Sequence, residues 1–543
     1  MTIDVRTEAL TWPRASLIAP GMSAFHPRLR VAMAGLCLGW GVLAGAVFPA
    51  GAQERPVLPR LEPHKCWFKT PRGATATCHL LSVLENRAVP DGRVVKLPIA
   101  ILKSSAGTRQ EADPVIYLAG GPGEAPLAAT APGVDPLKDG DWWNSTAAIR
   151  RNRNFIFIGQ RGAELSRPAL QCDDIASPKT RLSRTGGHFD AVEDERRAMI
   201  KCRAELERRG IDVAQYRTPA LADDVADLAR ALTLTRVNLY GVSYGTRWAL
   251  EVMRRHPSLV RAAVLDSAYP PQINGDQEEV DAVRRAFEHL FATCADDSWC
   301  ARTYPNLRAD LEGLVARLDR TPVKLRLKLP NGRATASIDG TKVMLILLHV
   351  MRLGGDDVGK LPTTIARAAR GDYAALRFFA QDLEQTEGGV VETPIEQMAG
   401  LYYSVECRET SAFVDGPARE RAIAQAGIYG LVARANTGPA LCPVWRVPPA
   451  DAAEKQPVHS TVPTLLLSGS YDWLTPSTWA EATRQTLPNA RHVEFRAMGH
   501  AVTANDDCAE TLLAQFVDQP DPARAPACLG NNPPPKFTDK PPK

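Results

Sequence analysis

Gly241, Ser243 and Gly245 lie two residues apart in the stretch LYGVSYGTRWAL, which matches G-x-S-x-G. A serine hydroxyl is a poor nucleophile at neutral pH. It becomes a good one when a histidine takes its proton and an acid orients that histidine. The chain offers both partners, in the order serine, acid, base. Asp472 follows the apolar run TLLLSGSY, and His500 follows HVEFRAMG. All three residues come just after runs that read as buried strands, where α/β sheets place their sites. Such a set performs acyl transfer: Ser243 attacks a carbonyl carbon, His500 accepts the proton, and Asp472 fixes the imidazole.

The negative charge that develops on the carbonyl oxygen needs backbone N–H donors. One is expected from Tyr244, directly after the serine. The other is expected from the turn YLAGGPGEAP, with Gly121 as the candidate. Pro122 stiffens that turn and has no N–H to give. Three residues compete for roles. Asp266 in AVLDS also ends a strand and is the rival acid. His492 lies inside a strand pattern, and His256 sits at a helix end, so both are expected to be structural.

These residues need a scaffold. RVNLY reads as a short buried strand, and TRWALEVMRRH carries apolar residues at helical spacing. Strand, sharp turn and helix form the context of a nucleophile elbow. PVIYLAGG, NRNFIFIGQRG and LVRAAVLDSAYPP read as further strands, and TPALADDVADLARALTL as an amphipathic helix. The alternation predicts an α/β fold with a mostly parallel central sheet and helices on both faces. From residue 275 to 455 the pattern turns helical, with VKLRLKL the best strand candidate. The expected organisation is an export signal at 1–52, a core at 53–274 and an inserted, mainly helical cap at 275–455. The second part of the core follows at 456–530, and a Pro- and Lys-rich tail at 531–543 is expected to be disordered.

Composition narrows the class. In 543 residues, 65 Lys and Arg face 61 Asp and Glu, so the net charge of +4 does not suggest a nucleic-acid partner. HExxH, GxxxxGK[ST] and CxxC patterns are absent, so no metal and no cofactor are expected. HPRLR, then VAMAGLCLGWGVLAGAVF, then PAGAQERP is the basic, apolar and small-residue order of a secretory signal. Cleavage is expected after Ala52. A start at Met22 gives a more ordinary signal length than Met1. An uncleaved anchor is the alternative, but the run is barely long enough to span a bilayer. Of 11 cysteines, Cys37 leaves with the signal and ten remain. Their simplest arrangement pairs neighbours in sequence: Cys66 with Cys78, Cys172 with Cys202, Cys294 with Cys300, Cys407 with Cys442, and Cys508 with Cys528. Sequence does not fix connectivity. Disulfides would place the protein in the periplasm or outside the cell.

GGPG, QRG, GVSYGTRWALEVMRRHP, SGSYDWLTP and GH together resemble the α/β-hydrolase peptidases of the proline iminopeptidase and tripeptidyl aminopeptidase group. ATCADDSWCARTYP, the VECRE…CPVW pair and the cysteines after His500 are similar to the secreted tripeptidyl aminopeptidase-like branch. The resemblance runs from about Cys66 to Cys528. It implies the α/β-hydrolase fold and release of short peptides or residues from a free peptide N-terminus. It also implies carboxylates that bind the substrate ammonium, for which Glu406 and Glu409 in SVECRET are the candidates. Two positions depart from the group. Gly159 stands where relatives carry Asp before Gln160, Arg161 and Gly162, which removes a carboxylate expected near the site entrance. Glu124 stands where another glycine is usual, and would restore a negative charge. The competing readings are an esterase or lipase on the same scaffold and a non-catalytic binding protein that kept the fold.

Overall fold

The computed structural model describes residues 57–540 and 542, apart from 108–110, 112, 129–133, 164, 173–187, 330–331, 386–397, 437 and 525–526. The export signal and its cleavage site therefore lie outside the described residues. The strands are β1 (Arg60–His64), β2 (Ala76–Leu84), β3 (Val94–Leu102), β4 (Val115–Leu118), β5 (Phe155–Ile158), β6 (Val237–Val242) and β7 (Val260–Asp266). They continue as β8 (Val323–Leu329), β9 (Gly332–Ile338), β10 (Thr464–Gly469) and β11 (Ala490–Phe495). Nine of them form one sheet in the order β1-β2-β3-β5-β4-β6-β7-β10-β11. From β5 to β11 the pairings are parallel. β1, β2 and β3 add an antiparallel edge.

The parallel strands are continuous apolar runs, as strands covered on both faces must be. β4, β5, β6 and β10 are buried at every residue. β7 and β10 are neighbours in the sheet although almost two hundred residues separate them; Ala263 pairs with Thr464. The intervening residues are mainly helical, as expected, and VKLRLKL is indeed a strand, β8, paired with β9 in a two-stranded hairpin.

The insertion is not one body set apart from the core. Helices Gly275–Asp296, Leu307–Arg320, Gly340–Leu353 and Leu361–Ala369 build their own apolar cluster. Helices Ala399–Glu409 and Gly438–Trp445 instead send Leu401, Val405, Leu441 and Trp445 into the core around β6. Cys407–Cys442 joins these two helices, and the other four disulfides also join sequence neighbours. Part of the Pro- and Lys-rich tail packs against the cap. Phe537 is buried in the cap cluster, and Thr538 N–H donates to the Gly359 carbonyl at 3.2 Å. One aromatic side chain among the prolines supplies the apolar anchor that composition averaged away. Among the described residues no helix is long and apolar enough to cross a membrane.

Arg161 of the QRG stretch is fully buried. Its Nε and Nη2 form a two-pronged pair with Asp224 at 2.8 and 2.7 Å, and Nη1 donates to the Glu85 carbonyl at 2.9 Å. Arg87 adds a second cation to Asp224 at 2.6 Å. This network locks β5 to the helix Thr218–Ala231 that precedes the serine strand. Arg161→Met strands part of the Asp224 charge in an apolar setting, and should lower unfolding stability by about 3–5 kcal/mol in urea titrations. An unchanged urea midpoint would show that Arg87 alone satisfies Asp224.

Candidate active site

Ser243 sits between β6 and helix Tyr244–Arg255, with φ 57° and ψ −126°. Such a conformation for a non-glycine residue costs on the order of 1–3 kcal/mol. The flanking glycines explain how it is tolerated. A Cβ on Gly245 would lie 1.9 Å from the Leu118 carbonyl oxygen, and one on Gly241 would lie 2.5 Å from the Gly245 carbonyl oxygen. The helix can start tight against the end of β4 only because both side chains are missing. The expected strand–turn–helix elbow is therefore present, and its glycines serve close approach.

His500 and Asp472 are brought together. His500 Nδ1 is 2.8 Å from Asp472 Oδ2. The Asp472 carboxylate also accepts from Leu474 N–H and Thr475 N–H, both at 2.9 Å, and from the Thr475 hydroxyl at 2.7 Å. Thr475 Oγ1 lies 3.1 Å from His500 Nδ1, so this hydroxyl contacts both members of the pair. Burial raises the Asp472 carboxyl, but the charge and hydrogen bond of His500 outweigh it and hold the group below its usual range. Burial lowers the His500 imidazole, and Asp472 more than reverses this, so His500 titrates above its usual range.

Asp266, the rival acid, has another task. Its carboxylate accepts from Val502 N–H at 3.1 Å and Thr503 N–H at 2.9 Å. Its carbonyl accepts the Ser243 N–H at 2.9 Å. Ser267 Oγ accepts from Ala501 N–H at 2.8 Å. The end of β7 thus ties the serine elbow to the histidine loop. From the opposite side, the Arg352 carbonyl, at the end of the cap helix Gly340–Leu353, accepts the His500 N–H at 2.7 Å. Gly499 makes this approach feasible, since a Cβ there would meet the Met351 carbonyl oxygen at 2.1 Å. Sequence patterns gave no sign of Thr475, Ser267 or Arg352. The Thr-Pro after Asp472 was the only local hint of a turn that could wrap the carboxylate.

His492 also faces a serine, with Nε2 2.7 Å from Ser468 Oγ and Nδ1 3.8 Å from Glu481. Ser468 is fully buried within β10. Its hydroxyl is in regular strand backbone with no approach for a substrate, so this second serine–histidine–acid set is structural. His256 pairs with Asp223 at 2.9 Å at the end of its helix.

The oxyanion candidates occupy the loop after β4 and the first residue of the serine helix. Gly121 has φ 103°. Gln160 clips this loop: its side-chain oxygen accepts from Gly123 N–H at 3.0 Å, and its Nε2 donates to the Gly120 carbonyl at 2.7 Å. Tyr244 N–H, at the first position of the helix, has no acceptor one turn back. The Tyr244 hydroxyl is 2.8 Å from Thr218 Oγ1. Gly159 is packed against Pro98, where a Cβ would lie 2.4 Å from Cγ. Any side chain at this position would require Pro98 or the backbone to shift.

The two cap glutamates differ. Glu409 is buried and both its oxygens are engaged, by Thr218 N–H at 2.8 Å and Thr218 Oγ1 at 2.6 Å. It holds the start of the Thr218–Ala231 helix. Burial pushes the Glu406 carboxyl up to about 7, with Arg247 opposing and Asp276 adding to the rise. Among the described residues no group of His, Cys, Asp and Glu is arranged to hold a metal ion.

The sign of the His500 shift is testable. The imidazole proton signal should titrate above pH 6.5 in NMR, and Asp472→Asn should move that midpoint down, because the carboxylate charge that raises it is gone. A midpoint that stays put in the variant would mean that Asp472 does not control the imidazole.

Comparison with known proteins agrees with this geometry. The family model described as alpha/beta hydrolase fold matches residues 113–343, and the one described as TAP-like protein matches 431–528. The serine protease Hip1 of Mycobacterium tuberculosis is 26% identical over 472 residues, covering 80% of this chain and 85% of that one. The tripeptidyl aminopeptidase of Streptomyces lividans is 29% identical over 218 residues, covering 37% of this chain and 38% of that one. The first matched segment carries the serine elbow and runs into the cap, and the second carries the aspartate and histidine; the chain is a serine hydrolase of the α/β-hydrolase fold, similar to serine peptidases of the TAP-like group.

Proposed function

We propose that this serine peptidase is an exported aminopeptidase, in which Ser243, His500 and Asp472 cleave peptide bonds near a free N-terminus. The observation that carries the reading is the strained serine at φ 57°, tied through Asp266 to a loop whose histidine is bonded to a buried carboxylate. A strained backbone of this kind persists where function requires it. In the proposed cycle Ser243 Oγ attacks the scissile carbonyl carbon while His500 takes the hydroxyl proton. Gly121 N–H and Tyr244 N–H hold the oxyanion. The tetrahedral intermediate collapses, His500 returns the proton to the leaving amine, and an acyl-enzyme remains. Water activated by His500 then releases the acid. Asp472 stabilises the imidazolium in both halves of the cycle.

The names of the relatives, serine protease and tripeptidyl aminopeptidase, support peptide substrates. Five disulfides support export, because such bonds persist in oxidising compartments. An aminopeptidase also needs a carboxylate for the terminal ammonium. Glu406 is one candidate in the cap, although Arg247 already offsets its charge.

The test compares fluorogenic free-amine peptides, with Pro and Ala-Ala-Pro N-termini, with their N-acetylated forms and with short-chain esters. Free-amine peptides should be cut and acetylated ones spared. Ser243→Ala should lose activity by about 10⁶-fold, and Asp472→Asn should lower kcat by about 10⁴-fold. Turnover of esters without turnover of peptides would make the protein an esterase on the same scaffold.

A further inference from the structure

The VKLRLKL strand contributes nothing to the site described above, and its outer face carries one sign of charge. Side chains alternate strictly along β8. Leu325 and Leu327 are buried in the cap cluster, whereas Lys324, Arg326 and Lys328 are exposed. On β9, Ala336 and Ile338 join the buried side, and the exposed Arg333 stands directly across from Lys328. The residues opposite Lys324 and Arg326 are the neutral Ser337 and Thr335. The face therefore holds four cations and no acid, and among the described residues none of the four makes an ion pair. Like charges directly opposite each other destabilise a strand pair. A glutamate at position 333 would instead complete a cross-strand ion pair with Lys328. Charges often guard an open strand edge, but the β8 edge is covered at Lys328, whose N–H donates to Gln381 of helix Ala374–Leu383 at 2.9 Å. Mixed signs would keep this face soluble without the repulsion, so its uniform sign calls for an anionic partner.

We propose that the outer face of the β8–β9 hairpin docks on an anionic phospholipid surface. The shape of the face selects this partner. Outward side chains on a strand are spaced about 6–7 Å apart, and paired strands about 4.8 Å, so the cations form a flat array. A small bound anion needs a concave site with converging donors. A lipid leaflet presents separate phosphates across a plane, and each cation can meet its own. The apolar inner face, packed into the cap cluster, holds the array in place. Attraction of this kind is electrostatic and is screened by salt. It is independent of which acyl bond the protein cleaves.

The test is co-sedimentation of the mature protein with two vesicle types, phosphatidylcholine alone and phosphatidylcholine with about 30% phosphatidylglycerol. Binding should need phosphatidylglycerol and should be lost in about 0.5 M salt. Arg326→Gln combined with Lys328→Gln should weaken it about 25-fold, at about fivefold per cation. Labelling of Ser243 by a fluorophosphonate probe should keep its wild-type rate in that variant. Arg326→Lys combined with Arg333→Lys should retain binding, because charge is what the surface reads. Equal binding to both vesicle types, or to neither, overturns the proposal. So does wild-type binding by the glutamine variant. The same holds for an equal loss when the exposed Arg196 and Arg197 of helix His188–Arg208 are changed to glutamine, since any two surface cations would then serve. Capture of soluble polyglutamate without vesicle binding would make the partner an acidic polypeptide and overturn the membrane assignment.

Discussion

Asp266 holds two pieces of backbone that would otherwise have no reason to meet. Its carbonyl takes the N–H of Ser243, and its carboxylate takes the N–H groups of Val502 and Thr503. The residue is fully buried, so each of these bonds forms in a medium where the alternative is an unsatisfied charge. Burial raises the Asp266 carboxyl, while the Thr503 hydroxyl and the surrounding N–H groups work against that rise. Serine elbow and histidine loop thus share one anchor at the end of β7. Their relative position is set by short hydrogen bonds, with little left to flexible side chains.

The cap takes part in the same arrangement. The N–H of His500 donates to the Arg352 carbonyl, and Gly355 N–H donates to the Ala497 carbonyl at 2.8 Å. Gly354 and Met498 form an isolated bridge. The histidine loop is therefore clamped between the end of a cap helix and the end of the sheet. Gly469 and Gly499 allow this, because a Cβ on Gly469 would meet the Gly499 carbonyl oxygen at 2.1 Å. A cap bound this way contributes to the site as structure, and the described residues form a single compact unit.

The QRG stretch shows how one short segment serves two purposes at different depths. Gln160 reaches out to the loop after β4, with bonds to Gly120 and Gly123. Arg161 reaches inward to Asp224, beneath the helix that leads to the serine strand. A guanidinium suits this place because its planar fork satisfies both carboxylate oxygens and keeps donors for carbonyls. Loop geometry at the site is thereby coupled to the packing of the core. An ion pair this deep is retained at a desolvation cost, so its orienting role is the better explanation for its presence.

The parallel strands, the elbow and the serine–acid–base order were all legible because each has a local cause. A buried parallel strand is an unbroken apolar run, and a tight elbow demands glycines at fixed offsets. The antiparallel edge was not read. β2 and β3 carry mixed patterns, and their pairing depends on chain reversal and on a neighbour, β5, that lies far away in sequence. The choice of Asp472 as the acid rested on its place in the order serine, acid, base, since Asp266 and Asp472 both end strands. The tertiary structure places His500 Nδ1 against Asp472 and gives Asp266 the backbone N–H groups of Val502 and Thr503. The same holds for Glu409, whose motif suggested a substrate carboxylate and whose partner, Thr218, lies almost two hundred residues earlier. By itself the sequence determined which residues could do the chemistry, through their types and spacing. Only the folded chain decided which carboxylate does what, because a carboxylate takes its role from the donors packed around it, and those come from distant parts of the chain.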